Sequence, residues 1–172
     1  MTIIPPPPPP DLHVLAALRH ARTPVIFLDF DGVTHPEPSN EAFTQLPLIE
    51  EVLRAHPLVP VVLSTSWREQ LPMDVICANF SSDIESRIIG ATPVMDWAKR
   101  NSHVVPISRN SRQFEVELWM YLYLTMDHPW IAIDDREHWF EAGCRNLLTT
   151  NRNTGFTSDD AQQLHKMIME RR

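Results

Sequence analysis

The chain has 172 residues, 43% hydrophobic and 22% charged, a composition that fits a soluble globular protein and excludes a disordered or fibrous one. That length supports one domain with a full core and crowds out a second. A formal net charge of -7 argues against gripping a nucleic-acid backbone by bulk charge, which leaves only a local basic patch for that role.

Cys77 and Cys144 match no metal or redox spacing and are expected as free thiols in a reducing compartment. No apolar run approaches the about 20 residues of a membrane span, and the N-terminus lacks the layout of a secretory signal. A cytoplasmic location is therefore expected, where the sequon at Asn79 has no consequence.

Pro5 to Pro10 form an unbroken proline tract without backbone donors, so residues 1–10 are expected as a disordered, extended arm and 11–172 as a single domain. Residues 11–20 carry Leu12, Leu15, Ala16 and Leu18 at helical spacing. Residues 24–29 read as a strand buried on both faces, because a short continuous apolar run suits that environment. A helix is expected over 46–56, with Leu46, Ile49, Val52 and Leu53 on one face, and a second buried strand over 59–63. Short helices are expected near 73–79 and 93–100. Residues 111–124 read as a helix with Phe114, Leu118, Tyr121 and Leu122 toward the core. A third strand follows at 130–133 and a fourth at 146–149. Ser158 is expected to cap a last helix whose first turn holds Asp159 and Asp160, acids suited to its positive end.

Strands alternating with helices imply an α/β fold: a doubly wound, mainly parallel sheet with helices on both faces. Ligands in such sheets bind at the carboxyl ends of the strands, so functional groups should follow the apolar runs. The first run ends in Asp29-Phe30-Asp31-Gly32. Period-two geometry points both carboxylates the same way while the chain stays extended, and two like charges together call for a cation or a shared proton. Gly32 permits a sharp turn. The second run ends in Ser64-Thr65-Ser66, whose hydroxyls and amides suit a phosphate oxygen. The third ends in Asp134-Asp135, and a hard divalent cation with oxygen ligands would neutralise both acidic pairs at once.

With these motifs the chain resembles the haloacid-dehalogenase (HAD) superfamily. Residues 27–33, Phe-Leu-Asp-Phe-Asp-Gly-Val, are similar to its first motif, Leu63-Ser64-Thr65 to its second and Ile133-Asp134-Asp135 to its fourth. The resemblance spans about 25–150 and implies a HAD-like Rossmannoid hydrolase domain. It implies that Asp29 attacks phosphorus to form an aspartyl-phosphate, while Asp31 is general acid for the leaving oxygen and base for water. It implies Mg2+ held by the Asp29 side chain, the Asp31 carbonyl, and Asp134 or Asp135. The metal set is thus Asp29, Asp31, Asp134 and Asp135, and the phosphate-binding set is Ser64, Thr65, Gly32 and Arg109.

The superfamily usually has a third-motif lysine, and no lysine lies between Arg100 and Asp134. Arg112 or Arg109 stands in, with Arg112 preferred because its helix also carries Glu115 and Trp119. Residues 64–68, residues 89–93 and the Arg112, Glu115, Trp119 spacing are similar to small bacterial HAD domains, including one attached to multidomain RNA-repair proteins. Residues 133–137 with Trp139 look like the last motif of polymerase-tail phosphatases. Trp67 and Arg68 are candidates for stacking on and pairing with a substrate. His35, His103, His128 and His138 match no ligand spacing and are read as surface or core residues.

The intervals where superfamily caps insert are short, so little or no cap is expected. An open site suits a phosphorylated large substrate, an RNA or DNA end or a phosphoprotein, with Arg68, Arg87, Lys99, Arg100, Arg109 and Arg112 as a basic rim. The expected function is Mg2+-dependent phosphomonoester hydrolysis. A catalytically weak phosphate- and metal-binding interaction module is the alternative, and a carbon–halogen hydrolase ranks third because it has no need of Asp31.

Overall fold

The structure is a computed structural model, and it describes residues 9–94 and 111–171. Pro5 to Pro8, most of the helix expected over 93–100, and Lys99, Arg100, His103 and Arg109 lie outside the described residues. Five parallel strands form one sheet: β1 (Val25–Leu28), β2 (Val61–Leu63), β3 (Ile88–Ala91), β4 (Trp130–Asp134) and β5 (Leu147–Thr149). Their order is β3-β2-β1-β4-β5. The chain leaves β1 toward one edge and returns across it to β4, so the topological switch falls at the carboxyl ends of β1 and β4.

All residues of β1, β2 and β4 are buried, as continuous apolar runs require when helices cover both faces. Ile26 and Leu28 of β1 face a core built with α2 (Leu46–Ala55) and the last helix, α6 (Ser158–Glu170). Val25 and Phe27 face the opposite core, built with α1 (Leu12–Ala21) and α5 (Ser111–Tyr123). Two short helices, α3 (Met73–Cys77) and α4 (Ser82–Glu85), bridge β2 to β3. No cap domain occurs among the described residues, and no described helix is long and apolar enough to cross a membrane.

Several expectations are corrected. The edge strand β3 was not anticipated, because its first two residues are half-buried and Gly90 interrupts the apolar run. Pro10 is buried, with its ring 3.8 Å from where a Cβ on Gly90 would lie, so the end of the proline tract joins the packed body. Asp11 is the cap of α1 and not its first residue, accepting from the amides of His13 and Val14. The inward face of α5 is Arg112, Gln113, Glu115, Val116, Trp119 and Met120, while Tyr121 and Leu122 are exposed. Hydropathy misassigned that helix because its first turn delivers polar groups to the interior. Arg87 binds the carbonyls of Leu53, His56 and Val59 at the amino end of the sheet, so it cannot join a rim around the carboxyl ends.

Thr157, not Ser158, caps α6: its hydroxyl accepts from the Asp160 amide while the Asp160 carboxylate accepts from the Thr157 amide. Both orphan donors are satisfied by that exchange. Thr157→Ala is expected to lower unfolding free energy by about 1 kcal/mol in urea denaturation, with Ser158→Ala nearly neutral.

Candidate active site

Pairing of Leu28 with Ile133 in the β1–β4 ladder carries the chain directly to Asp29 and Asp134, and the Asp29 amide donates to the Ile133 carbonyl at 3.1 Å. Asp29 is 4% exposed and Asp134 1% exposed. With Asp135 they present carboxylate oxygens that all lie within 4.8 Å of one another. The cation facing Asp29 and Asp134 is Arg112, from the first turn of α5, whose Nη2 is 3.7 Å from Asp29 Oδ2 and whose Nε is 3.3 Å from Asp134 Oδ2.

Burial pushes the Asp29 carboxyl up to about 6, and Arg112 opposes that rise. Burial, followed by the charge of Asp29, pushes Asp134 up to about 8. Asp135 is also raised by burial, against the pull of Arg136 and Arg152. The Oδ2 atoms of Asp134 and Asp135 are buried without hydrogen-bond partners. Hard oxygen donors, excess negative charge and two orphaned oxygens fit a divalent cation such as Mg2+. Asp134 Oδ1 is meanwhile held by the Arg136 amide at 2.8 Å, which leaves Oδ2 for the shared space.

Arg112 is fixed from behind. Glu115 sits one turn along α5, 3.4 Å from Arg112 Nη1, and accepts from Arg68 Nη2 at 2.7 Å. Arg68 also donates to the carbonyls of Thr92, Ser64 and Thr65, so its guanidinium is spent on the protein. The expectation that Arg68 contacts substrate is corrected on that ground: its side chain is 1% exposed. It clamps Glu115, and Glu115 orients Arg112. Two guanidinium groups lie over the Trp139 rings, Arg112 Cζ at 5.2 Å and Arg136 Cζ at 5.0 Å from a ring centroid.

Asp31 departs from the period-two expectation. The Phe30 carbonyl accepts from the amides of both Val33 and Thr34, so the chain turns before Asp31 can extend the strand. Its carboxylate meets Trp67 Nε1 at 3.0 and 3.2 Å and His35 Nε2 at 3.3 Å, and it is not among the three clustered acids. A metal-binding role for the Asp31 side chain is therefore corrected, while its carbonyl stays a candidate.

Gly32 has φ +73°, and a Cβ there would come within 2.8 Å of the Asp135 carboxylate. Only glycine lets the turn and the fourth-motif acid share this space. The following loop is pinned by Thr150 Oγ1 donating to the Gly32 carbonyl at 2.8 Å and the Phe156 amide donating to the Val33 carbonyl at 2.8 Å.

β2 sets Ser64 and Thr65 beside β1, the Ser64 amide donating to the Leu28 carbonyl at 2.9 Å. The Thr65 hydroxyl accepts from the Trp67 amide and starts the 3-10 turn Ser66–Glu69, so it also aims Trp67. Sequence reasoning passed over His35 because it matches no metal-ligand spacing; its signal was the four-residue interval from Asp31. Arg152 was also missed: it pairs with Glu37 at 2.5 Å and lies 4.0 Å from Asp135 Oδ2, having no motif to mark it.

Among protein families, one described as the HAD domain in Swiss Army Knife RNA repair proteins matches residues 25–161. Comparisons with curated proteins and with solved structures returned no match.

Without a cation, the folded state holds protons on Asp29 and Asp134 that the unfolded chain releases near its ordinary carboxylate value of 3.8, so stability falls as pH rises toward about 8. A bound cation favours the ionised acids and reverses that loss. Mg2+ is therefore expected to raise the melting temperature more at pH 8 than at pH 5 in thermal unfolding. Separately, Glu115→Ala removes the acid that two buried guanidiniums share and is expected to destabilise the fold by about 3 kcal/mol in chemical denaturation.

Proposed function

The chain belongs to the HAD domain family of Swiss Army Knife RNA repair proteins, matched over residues 25–161, and from that membership we propose a magnesium-dependent phosphomonoester hydrolase with Asp29 as nucleophile. Membership itself implies a phosphatase-type hydrolase. The observation that carries the finer reading is the buried Asp29 carboxylate with Arg112 Nη2 3.7 Å from Oδ2 and two more acids clustered beside it.

Asp29 attacks phosphorus, the bond to the leaving oxygen breaks, and an aspartyl-phosphate forms on the side chain. Arg112 offsets negative charge on the nucleophile and on the transferring group, and its planar fork suits phosphate as the usual lysine's point charge does. Asp31 gives a proton to the leaving oxygen and later takes one from the water that cleaves the aspartyl-phosphate. Ser64 and Thr65, at the end of the neighbouring strand, would donate to a phosphate oxygen as the resemblance to the second motif implies. Mg2+, held by Asp29, the Asp31 carbonyl and an acid of the 134–135 pair, would supply the charge that lets one anion approach another.

A phosphate at a nucleic-acid end is the substrate class we favour. The description of the matched family names RNA repair, and no cap domain closes the site among the described residues. Trp139 with Arg136, and Arg152 nearby, could stack on and pair with a chain extending from the reacting phosphate.

Mg2+-dependent release of phosphate from a simple aryl phosphate is expected, stopped by chelation and reduced at least about a thousandfold by Asp29→Asn. A panel of 5′- and 3′-phosphorylated oligonucleotides, sugar phosphates and phosphopeptides should show highest kcat/KM for an oligonucleotide end. Tight metal binding without turnover across the panel would mark a binding module instead.

A further inference from the structure

Asp31 is the acid whose environment differs most from its neighbours. Its side chain is 35% exposed, whereas the side chains of Asp29 and Asp134 are 6% and 1% exposed. Its inner edge is held by two ring nitrogens. Trp67 Nε1 spans both oxygens at 3.0 and 3.2 Å, and His35 Nε2 reaches Oδ1 at 3.3 Å.

Neither ring can follow the carboxylate if it moves. Trp67 packs edge-on against Phe30 and Phe43, with centroids 5.7 and 5.3 Å away, and His35 is 6.0 Å from Phe43 and 6.1 Å from Trp67. His35 is also locked against a ring flip. Thr34 Oγ1 gives its one hydrogen to the Phe30 carbonyl at 3.1 Å, so at 3.0 Å it accepts from His35 Nδ1. Nε2 is thereby turned to Asp31.

We propose that His35 and Trp67 are positioning residues that hold the Asp31 carboxylate away from the clustered metal-facing acids and keep its exposed edge free for proton transfer. This rests on the phosphohydrolase reading above. The physical reason is competition. A flexible carboxylate two residues from Asp29 would be drawn to a divalent cation by direct attraction, and as a ligand it would lose its use as an acid. Caged hydrogen-bond partners on the far side oppose that swing.

The test uses full-length Trp67→Phe, His35→Leu and His35→Gln. Two phosphomonoesters are compared, an aryl ester with an acidic leaving phenol and an alkyl ester whose leaving oxygen needs a proton. Trp67→Phe and His35→Leu are expected to lower kcat for the alkyl ester by about tenfold to a hundredfold and for the aryl ester by no more than about threefold, with His35→Gln partly restoring the former. Mg2+ affinity by calorimetry should stay equal or rise, as the released carboxylate joins the metal.

In metal-free protein the Trp67 indole N–H resonance, assigned by its loss in Trp67→Phe, should move on Asp31→Asn and not on Asp134→Asn. Equal loss on both esters with weakened Mg2+ binding would reduce the pair to a structural role, and no loss on either would dismiss it. Wild-type protein that cleaves neither ester overturns the phosphohydrolase reading alone, because the indole shift and the metal affinities still decide the positioning.

Discussion

Three buried carboxylates converge where β1 and β4 end, and the guanidinium among them is already shared with a fourth acid, Glu115. Much of the surrounding structure follows from this imbalance of charge in a water-poor place. Gly32 has no side chain because the Asp135 carboxylate occupies the space beside it. Arg136 and Arg152 lean on Asp135 from the solvent side, and Glu37 ties both to the loop that carries Gly32. A divalent cation would complete the set, since the Oδ2 atoms of Asp134 and Asp135, which have no hydrogen-bond partner, belong to residues of the same cluster.

The polar stripe on α5 meets the same need from the other side of the sheet. Arg112 enters the site, Glu115 steadies it, and Gln113 accepts from the Glu141 amide at 2.7 Å, tying the helix to the loop after β4. Arg68 closes the chain of contacts by binding Glu115 and three carbonyls at the ends of β2 and β3. The helix is therefore anchored at its first turn by charge and along its later turns by Val116, Trp119 and Met120 in the core. Position and chemistry are supplied by one element.

The parallel sheet was legible because β1, β2 and β4 are continuous apolar runs, and each is followed by groups suited to a strand-end site. β3 was not, because an edge strand half open to solvent and broken by Gly90 carries no such run. The placement of Arg112 could be chosen from its company on the helix, yet the face of that helix could not. Burial of Arg112, Glu115 and Gln113 contradicts any reading that turns polar residues outward. Arg68 was named as a candidate substrate contact for the same reason: an arginine in a loop reads as exposed, and only the fold shows the carbonyls of Ser64, Thr65, Thr92 and Pro93 and the Glu115 carboxylate closing around it. The carboxylate of Asp31 was wrongly aimed, since the turn at Phe30 is set by hydrogen bonds that spacing does not reveal.

The central claim is that Asp29, Asp134 and Asp135 hold one divalent ion. Titration of the metal-free chain with Mn2+, followed by paramagnetic resonance, tests it most directly. One equivalent should bind, compete with Mg2+, and disappear from the bound signal when Asp134 and Asp135 are both replaced by Asn. No bound ion at millimolar metal, or an undiminished signal in the doubly substituted chain, would contradict it.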